Sequence, residues 1–168
     1  MRITLAELEL HRIVASETFA PGSIDYHDAA FRQTAPLQIN VTAELSGAEI
    51  RVRGRLSTTL EASCDRCLGS VALPLESDFD LIYRPMQTIA KEEEIEIRDD
   101  ELEVGFYSGD GIELADVASE QVILALPMKV ICGADCRGLC PVCGTNLNVS
   151  SCDCSVSPQK DSPFASLT

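Results

Sequence analysis

Alternating apolar and polar residues run through the middle of the chain and predict half-buried strands. Apolar side chains recur at every second position over 37–45, and Ser46-Gly47 breaks the series. Further apolar series run over 50–62 and 71–83. A period of two over this length is typical of antiparallel strands with one face in a core. The last two series predict a hairpin whose tip lies at residues 64–67.

A register for this hairpin follows if Cys64 lies opposite Cys67. Apolar residues then face one another on one side, as Val52 with Phe79, Leu56 with Leu75 and Leu60 with Val71. On the other side the register predicts three ion pairs, which are Arg51 with Asp80, Arg53 with Asp78 and Arg55 with Glu76. Cross-strand pairs of both kinds stabilise a sheet, so both faces favour this register.

One convincing helix is predicted, over residues 113–126. From Val117 to Leu126 only residues 119–121 are polar, so we expect the sheet to cover most of the circumference of the helix. Pro127 ends it.

Three further segments carry weaker patterns. Residues 1–10 predict a first strand, and residues 11–36 show no clean period. The acidic segment 88–103 predicts a loop followed by an edge strand.

The combined pattern predicts an α+β, β-rich fold. Residues 1–128 would form an antiparallel sheet or a partly open barrel with one main helix packed on it. Residues 129–168 would form a small cysteine-rich zinc-binding knuckle.

Eight cysteines give the chain its candidate chemistry. Two form the sequence Cys64-Asp-Arg-Cys67, and the other six are Cys132, Cys136, Cys140, Cys143, Cys152 and Cys154. Thiolates are preferred soft ligands of zinc, and a structural zinc site usually takes four of them. Pro141 and Gly144 suit a tight turn at one pair, because proline fixes one dihedral angle and glycine accepts a left-handed one. The sequence predicts one or two zinc ions.

Several partitions of the cysteines fit this pattern. The preferred one groups Cys140, Cys143, Cys152 and Cys154 as one site and Cys64, Cys67, Cys132 and Cys136 as a second. A competing one joins Cys64 and Cys67 to Cys140 and Cys143, and leaves the other four. One occupied site with spare thiols, or buried cysteines without metal, are the remaining alternatives.

The ends and apolar runs of the chain bear on its location. The N-terminal residues carry acid and lack the continuous apolar region of a signal peptide. The longest apolar run, 122–128, is too short to span a bilayer, so no membrane association is expected. A cytoplasmic location follows, where thiols stay reduced and are available to metal.

The net charge of −14, from 27 acids and 13 bases, argues against general nucleic-acid binding. It favours a basic partner such as a ribosomal protein, or serves solubility alone. Arg51, Arg53 and Arg55 form the one basic stripe. They can contact phosphate or pair with the facing acids, and the pairing is the favoured interpretation. Near the cysteines, Arg66, Lys129 and Arg137 are weaker candidates for contact with RNA or a partner.

An enzyme is not expected, and neither is a small-molecule substrate. A catalytic zinc site usually has three protein ligands, often histidines, and an open position for water. The two histidines, His11 and His27, have no cysteine or acid at metal-ligand spacing. A thiol redox role is the alternative function, as a zinc-linked switch, since thiolates released from zinc can be oxidised.

The chain resembles the YceD-like bacterial family. The resemblance is carried by Cys64-Asp-Arg-Cys67-Leu, by Gln121-Val-Ile-Leu-Ala-Leu-Pro-Met-Lys129, by Cys136-Arg-Gly-Leu-Cys-Pro-Val-Cys-Gly-Thr-Asn-Leu-Asn148, and by the closing Cys152-Asp-Cys154 and Pro163-Phe-Ala165. It implies a non-catalytic factor in large ribosomal subunit biogenesis that promotes accumulation of 23S rRNA. Its partner would be the large-subunit rRNA precursor or a basic ribosomal protein.

Overall fold

The computed structural model describes residues 1–27, 30–86 and 104–154. Within them it contains eight strands and two helices: β1 (Arg2–Thr4), α1 (Leu5–Leu10), β2 (Ile13–Phe19), β3 (Phe31–Gln33), β4 (Leu37–Ser46), β5 (Glu49–Ser63), β6 (Ser70–Pro85), β7 (Val104–Tyr107), β8 (Gly111–Glu113) and α2 (Leu114–Ala125). The prediction of a β-rich fold is confirmed. The predicted 88–103 loop and edge strand lie outside the described residues.

The strands form an open six-stranded sheet and a separate two-stranded one. The large sheet has the order β2-β4-β5-β6-β7, with β3 also paired to β5, and the small sheet joins β1 to β8. The pairs β2–β4, β4–β5 and β3–β5 are antiparallel, whereas β6–β7 is parallel. The sheet is therefore mixed, and the expectation of a purely antiparallel sheet was wrong at β7.

The alternating residues of β4, β5 and β6 form the core, as the pattern predicted. Leu37, Ile39, Val52, Leu56 and Leu60 are at most 1% exposed. Gly54 lies among them, and a Cβ atom there would stand 2.6 Å from the Phe79 ring. Its lack of a side chain makes room for that ring on the neighbouring strand.

Truncation of this core should be costly. Replacing Leu56 by alanine removes a fully buried side chain, and we expect a loss of about 2–5 kcal/mol in the free energy of unfolding. Leu10→Ala is the matched control, because Leu10 is 82% exposed and should change stability little. Urea unfolding followed by far-UV circular dichroism measures both, and equal stabilities would contradict this core assignment.

Helix α2 has one buried face and one exposed face. Leu114, Val117, Ala118 and Val122 belong to the same core as the sheet. Leu126 takes an extended conformation and ends the helix before Pro127, as predicted. The expectation that most of the circumference is covered was wrong, because Ile123 is 40% and Leu124 69% exposed.

The first 36 residues hold more structure than their pattern predicts. The predicted strand over 1–10 is a three-residue strand followed by helix α1. Thr4 and Glu7 form a reciprocal capping box that starts this helix, a local signal that the periodicity overlooked. Strands β2 and β3 were also missed, because tertiary pairing with β4 and β5 decides their conformation.

The chain divides into two compact units. The first contains Met1–Ala62 and Ala72–Met128, and the second contains Ser63–Val71 together with the chain from Lys129 onward. The second unit combines the chain after Met128 with the hairpin tip, whereas the sequence analysis divides the chain at residue 128 alone. That unit, called here the cysteine unit, holds all eight cysteines. No helix in the described part of the chain is long and apolar enough to cross a membrane.

Candidate metal centres

The cysteine unit brings its eight cysteines together as two sets of four. The hairpin site consists of Cys64, Cys67, Cys132 and Cys136, and the tail site consists of Cys140, Cys143, Cys152 and Cys154. Within each set all sulfur atoms lie within 4.8 Å of one another. These sets are the ones that the preferred partition of the sequence predicts, and none of the cysteines forms a disulfide.

The sulfur spacing of the hairpin site suits a single ion with four thiolate ligands. Cys64 Sγ lies 3.9 Å from Cys136 Sγ, and Cys67 Sγ lies 3.7 Å from Cys132 Sγ. Four sulfurs placed tetrahedrally at the usual zinc–sulfur bond length of about 2.3 Å are about 3.8 Å apart. A disulfide would need sulfurs at about 2.0 Å. The donor set and its spacing therefore fit a tetrahedral metal ion.

Asp65 and Arg66 fasten the hairpin tip to the chain that carries the other two ligands. The Asp65 N–H donates to Val130 O over 2.8 Å, and the Val130 N–H donates to the Asp65 carboxylate over 2.6 Å. Arg66 Nη1 donates to Cys136 O over 2.9 Å. The two residues between the cysteines of the tip thus hold the second half of the site in place.

Further donors point at the sulfurs themselves. The Cys132 N–H lies 3.4 Å from Cys64 Sγ, and Asn148 Nδ2 lies 3.5 Å from Cys136 Sγ. Such bonds orient and stabilise thiolate ligands. The sequence analysis missed this role of Asn148, for which the only local signal is the Asn146-Leu-Asn148 motif. Asn146 also supports the site, because its Nδ2 donates to Cys67 O over 3.4 Å.

The two Cys-x-x-Cys turns have the same backbone hydrogen bonds. Cys64 N donates to Gly69 O and Cys64 O accepts from Leu68 N; likewise Cys140 N donates to Thr145 O and Cys140 O accepts from Gly144 N. In both turns the residue after the second cysteine has positive φ, 58° at Leu68 and 73° at Gly144. The predicted left-handed glycine at 144 is confirmed. Leu68 adopts the same conformation at a steric cost.

Hydrogen bonds to sulfur lower the pKa of cysteines in both sets. Backbone N–H groups, that of Arg66 foremost, lower the pKa of Cys64 to about 6. The hydroxyl and N–H of Thr145 lower the pKa of Cys143 to about 6.

Two other thiols, one in each set, resist ionisation. The neighbouring Cys136 sulfur raises the pKa of Cys132 to about 12, and the Cys143 sulfur raises that of Cys154 to about 12. Four thiolates this close repel one another, and a divalent cation among them removes that penalty.

The basic candidates are placed as follows. Arg51 forms two hydrogen bonds with Asp80, and Arg55 bonds Glu76 over 2.7 Å, which confirms two rungs of the predicted acid ladder. The third rung was wrong: Arg53 pairs with Glu44 on β4, because a side chain of β5 can reach either flanking strand. Arg66 is used in the hairpin site, while Lys129 and Arg137 are exposed in the cysteine unit.

The histidines take no part in either metal centre. Among the described residues, both sets of potential ligands consist of cysteines alone. His27 lies beside Asp25 in an exposed loop, and His11 ends helix α1. These loop positions are the ones expected from the sequence.

Comparison with known proteins gives a family and distant relatives. Residues 52–168 match the model of the family described as large ribosomal RNA subunit accumulation protein YceD. An uncharacterized protein of Mycobacterium tuberculosis is 29% identical over 142 residues, which cover 84% of this chain and 64% of that protein. The chloroplastic YCED homolog 1 of Arabidopsis thaliana, a large ribosomal RNA subunit accumulation protein, is 24% identical over 172 residues, covering 85% and 49%.

The chain spans about half to two thirds of the length of these relatives. No solved structure matches it. The family match extends over most of strand β5, all of β6, helix α2 and both sets of cysteines. Because that match covers more than half of the sequence, the chain belongs to the YceD family of large ribosomal RNA subunit accumulation proteins.

Proposed function

We propose that this protein is a non-catalytic factor in large ribosomal subunit biogenesis that promotes accumulation of 23S rRNA. The family match over residues 52–168 carries this proposal. The name of the plant relative, matched at low identity, supports it. The protein would act by binding the rRNA precursor or a ribosomal protein, within a reducing compartment such as the cytosol.

Zinc is the proposed metal, with one ion in each set of four cysteines. Two sets of four thiols, with all sulfurs of a set within 4.8 Å of one another, favour zinc over the harder divalent ions. Such closed sites are typically structural, because no position is left for a reacting water. The absence of histidine and carboxylate from both donor sets supports a non-catalytic role.

Of the two partner classes, a basic protein is favoured. The arginine stripe is engaged with acids, so its charge is compensated before any phosphate arrives. The net charge of −14 repels a nucleic-acid backbone and attracts a cationic protein. If RNA is contacted at all, the cysteine unit is a better candidate than the arginine stripe, because it carries Arg66, Lys129 and Arg137.

The function is tested by removing the gene and measuring rRNA in the organism that carries it. We expect the ratio of large-subunit to small-subunit rRNA to fall, and the intact gene supplied in trans to restore it. A Leu10→Ala copy, altered at an exposed site, is the control and should also restore the ratio. An unchanged ratio in the deletion strain would contradict the proposal.

The turn of the tail site offers a test of the metal proposal. Gly144 has φ of +73° and open space around its Cα atom, so alanine there meets strain but no clash. We expect Gly144→Ala to cost about 1–2 kcal/mol, equivalent to about 5–30-fold weaker zinc affinity at the tail site. Competition with a chromophoric chelator measures this.

Gly133→Ala is the matched control for that variant. Gly133 also has open space, and it is not among the glycines with positive φ. Its substitution should leave zinc affinity within about twofold, since surface changes without strain are small. Equal affinities of the two variants would show that the Cys140–Thr145 turn does not hold the ion.

A zinc-linked redox switch is the second candidate. Cys132 in the hairpin site, and Cys143 and Cys154 in the tail site, are exposed, so peroxide can reach a ligand in each. Mild peroxide treatment should then release zinc as thiols disappear, and a reductant should restore both. Retention of zinc and of all eight thiols under conditions that oxidise free glutathione would rule the switch out.

A further inference from the structure

The exposed face of helix α2 borders two grooves in the first unit. The loop groove, of about 650 Å³, lies between this face and residues 23–27. The strand groove, of about 550 Å³, lies between the helix and strands β6 and β7. Glu120 and Leu124 line both and form the ridge that separates them.

The grooves combine apolar surface with acids on helix α2 that have no basic partner among the described residues. The loop groove is lined by Ile24, Tyr26, Ile123 and Leu124, and its acids are Asp25, Asp116 and Glu120. Neither groove has a lysine or arginine among the described residues of its lining. Among the described residues, no basic side chain lies within ion-pair distance of Asp116 or Glu120. The arginines of β5, by contrast, pair with acids on the flanking strands β4 and β6.

The loop side of the first groove is fixed by packing. The Tyr26 hydroxyl bonds Gln33 over 2.8 Å, and its ring lies 5.2 Å from that of Phe31. Ile24 is buried beside them. The groove thus has a preformed wall, which lowers the entropic cost of binding a partner.

A buried donor in the strand groove lacks an acceptor. Gln121 is only 6% exposed, and its Nε2 atom has no hydrogen-bond partner in the part of the chain that the structure describes. An unsatisfied buried donor is costly, and a main-chain carbonyl of a bound segment would satisfy it. This observation is independent of the charge and also points to an occupant.

We propose that these grooves dock a cationic amphipathic helix of a protein partner. Its apolar side chains would cover Ile123 and Leu124, its lysines or arginines would pair with Asp116, Glu120 and Asp25, and a carbonyl at its end would accept from Gln121. Binding of an amphipathic helix in an apolar groove is a recurring mode of recognition. This inference rests on the proposed function and deepens it by naming the kind of partner. In ribosome biogenesis, the cationic helix would belong to a basic ribosomal protein.

The test uses the full-length zinc-loaded protein and a labelled peptide of about 18 residues, long enough to form a helix on binding. The peptide carries leucine at helical spacing and lysine elsewhere. A scrambled peptide of the same composition and one with glutamate in place of lysine are the peptide controls. Fluorescence anisotropy gives the affinities. We expect only the amphipathic cationic peptide to bind, and its affinity to fall as salt rises.

Matched variants locate the binding. Leu124→Ala combined with Asp116→Asn should weaken binding at least about tenfold, because an apolar anchor and an ion pair are lost together. Gln121→Leu should weaken binding while raising the unfolding midpoint of the free protein, since the orphaned donor disappears. Val14→Ala and Glu9→Gln, at exposed sites elsewhere in the unit, should leave the affinity within about twofold.

Three results would overturn the proposal. One is equal affinity of the groove variants and the controls. Another is single-stranded RNA binding with the same dependence on Leu124 and Asp116. The third is a tenfold gain in peptide affinity when Phe164 and Leu167 of the chain's own tail are changed to alanine, which would identify the tail as the resident occupant.

The docking inference and the proposed function can be contradicted by different results. If the groove variants lose the peptide but still restore the rRNA ratio, the docking inference is contradicted and the family function stands. If deletion of the gene leaves the ratio unchanged, the family function is contradicted whatever the peptide does.

Discussion

A protein carrying both Cys136→Ser and Cys152→Ser is expected to lose both of its metal ions. Cys136 belongs to the hairpin site and Cys152 to the tail site, so the double substitution removes one ligand from each site. A serine hydroxyl is a poor substitute for a thiolate, and the closed site has no spare ligand. Titration with Co²⁺, whose thiolate complexes absorb visibly, counts the remaining tight sites. The expected count is none, against two for the unaltered protein.

A second double variant is the control for this experiment. Cys64→Ser with Cys136→Ser damages the hairpin site twice and should leave the tail site intact, with one tight ion. The competing partition, which joins Cys64 and Cys67 to Cys140 and Cys143, predicts the reverse counts for the two double variants. The comparison therefore separates the two groupings even if both variants are partly destabilised.

Removal of zinc should unfold the cysteine unit and leave the sheet folded. Among its described residues, this unit has a buried apolar cluster of Cys64, Cys67 and Cys136, with Val71 packed against it. The described part of the first unit has a core of twenty-one buried residues. Structural zinc contributes about 10–16 kcal/mol in small zinc modules, as much as the whole stability of a typical domain. With so small a core, we expect the proposed zinc ions to supply most of the stability of the unit.

Hydrogen exchange measures this effect in both units at once. A strong chelator should abolish protection of the turn amides of Cys64 and Cys140, which donate to Gly69 and Thr145. The amides of β4 and of the paired part of β5 should keep theirs, because the core beneath them contains no cysteine. Unchanged protection of the turns after chelation, with zinc shown to be absent, would contradict a structural role of the metal.

Residue periodicity predicted the parts of the fold in which neighbours in sequence are neighbours in space. The apolar faces of β4, β5 and β6, the end of helix α2 at Pro127 and two of the three arginine pairs follow from spacing alone. Arg53 does not, because its choice between Glu44 and Asp78 depends on the position of a third strand. Strands β2 and β3 and the parallel placement of β7 also depend on partners distant in sequence.

The candidate site was predictable to a similar extent. Cysteine spacing suggested both sets of four, since each Cys-x-x-Cys turn presents two sulfurs on one side. The contacts that hold the sets were not predictable, because Asp65, Arg66 and Asn148 act through bonds to residues 11 to 70 positions away. The exposed side of α2 also escaped prediction, since an apolar sequence does not reveal which residues the sheet leaves uncovered.

The metal content of the native protein tests directly whether one cysteine unit holds two independent structural zinc centres. Elemental analysis of untagged protein purified under reducing conditions, with thiols counted in parallel, gives this number. Two zinc ions per chain are predicted, with all eight thiols reactive only after the protein is denatured and the metal chelated. Eight free thiols with no zinc, or one zinc with four thiols reactive in the folded protein, would contradict the presence of two zinc centres.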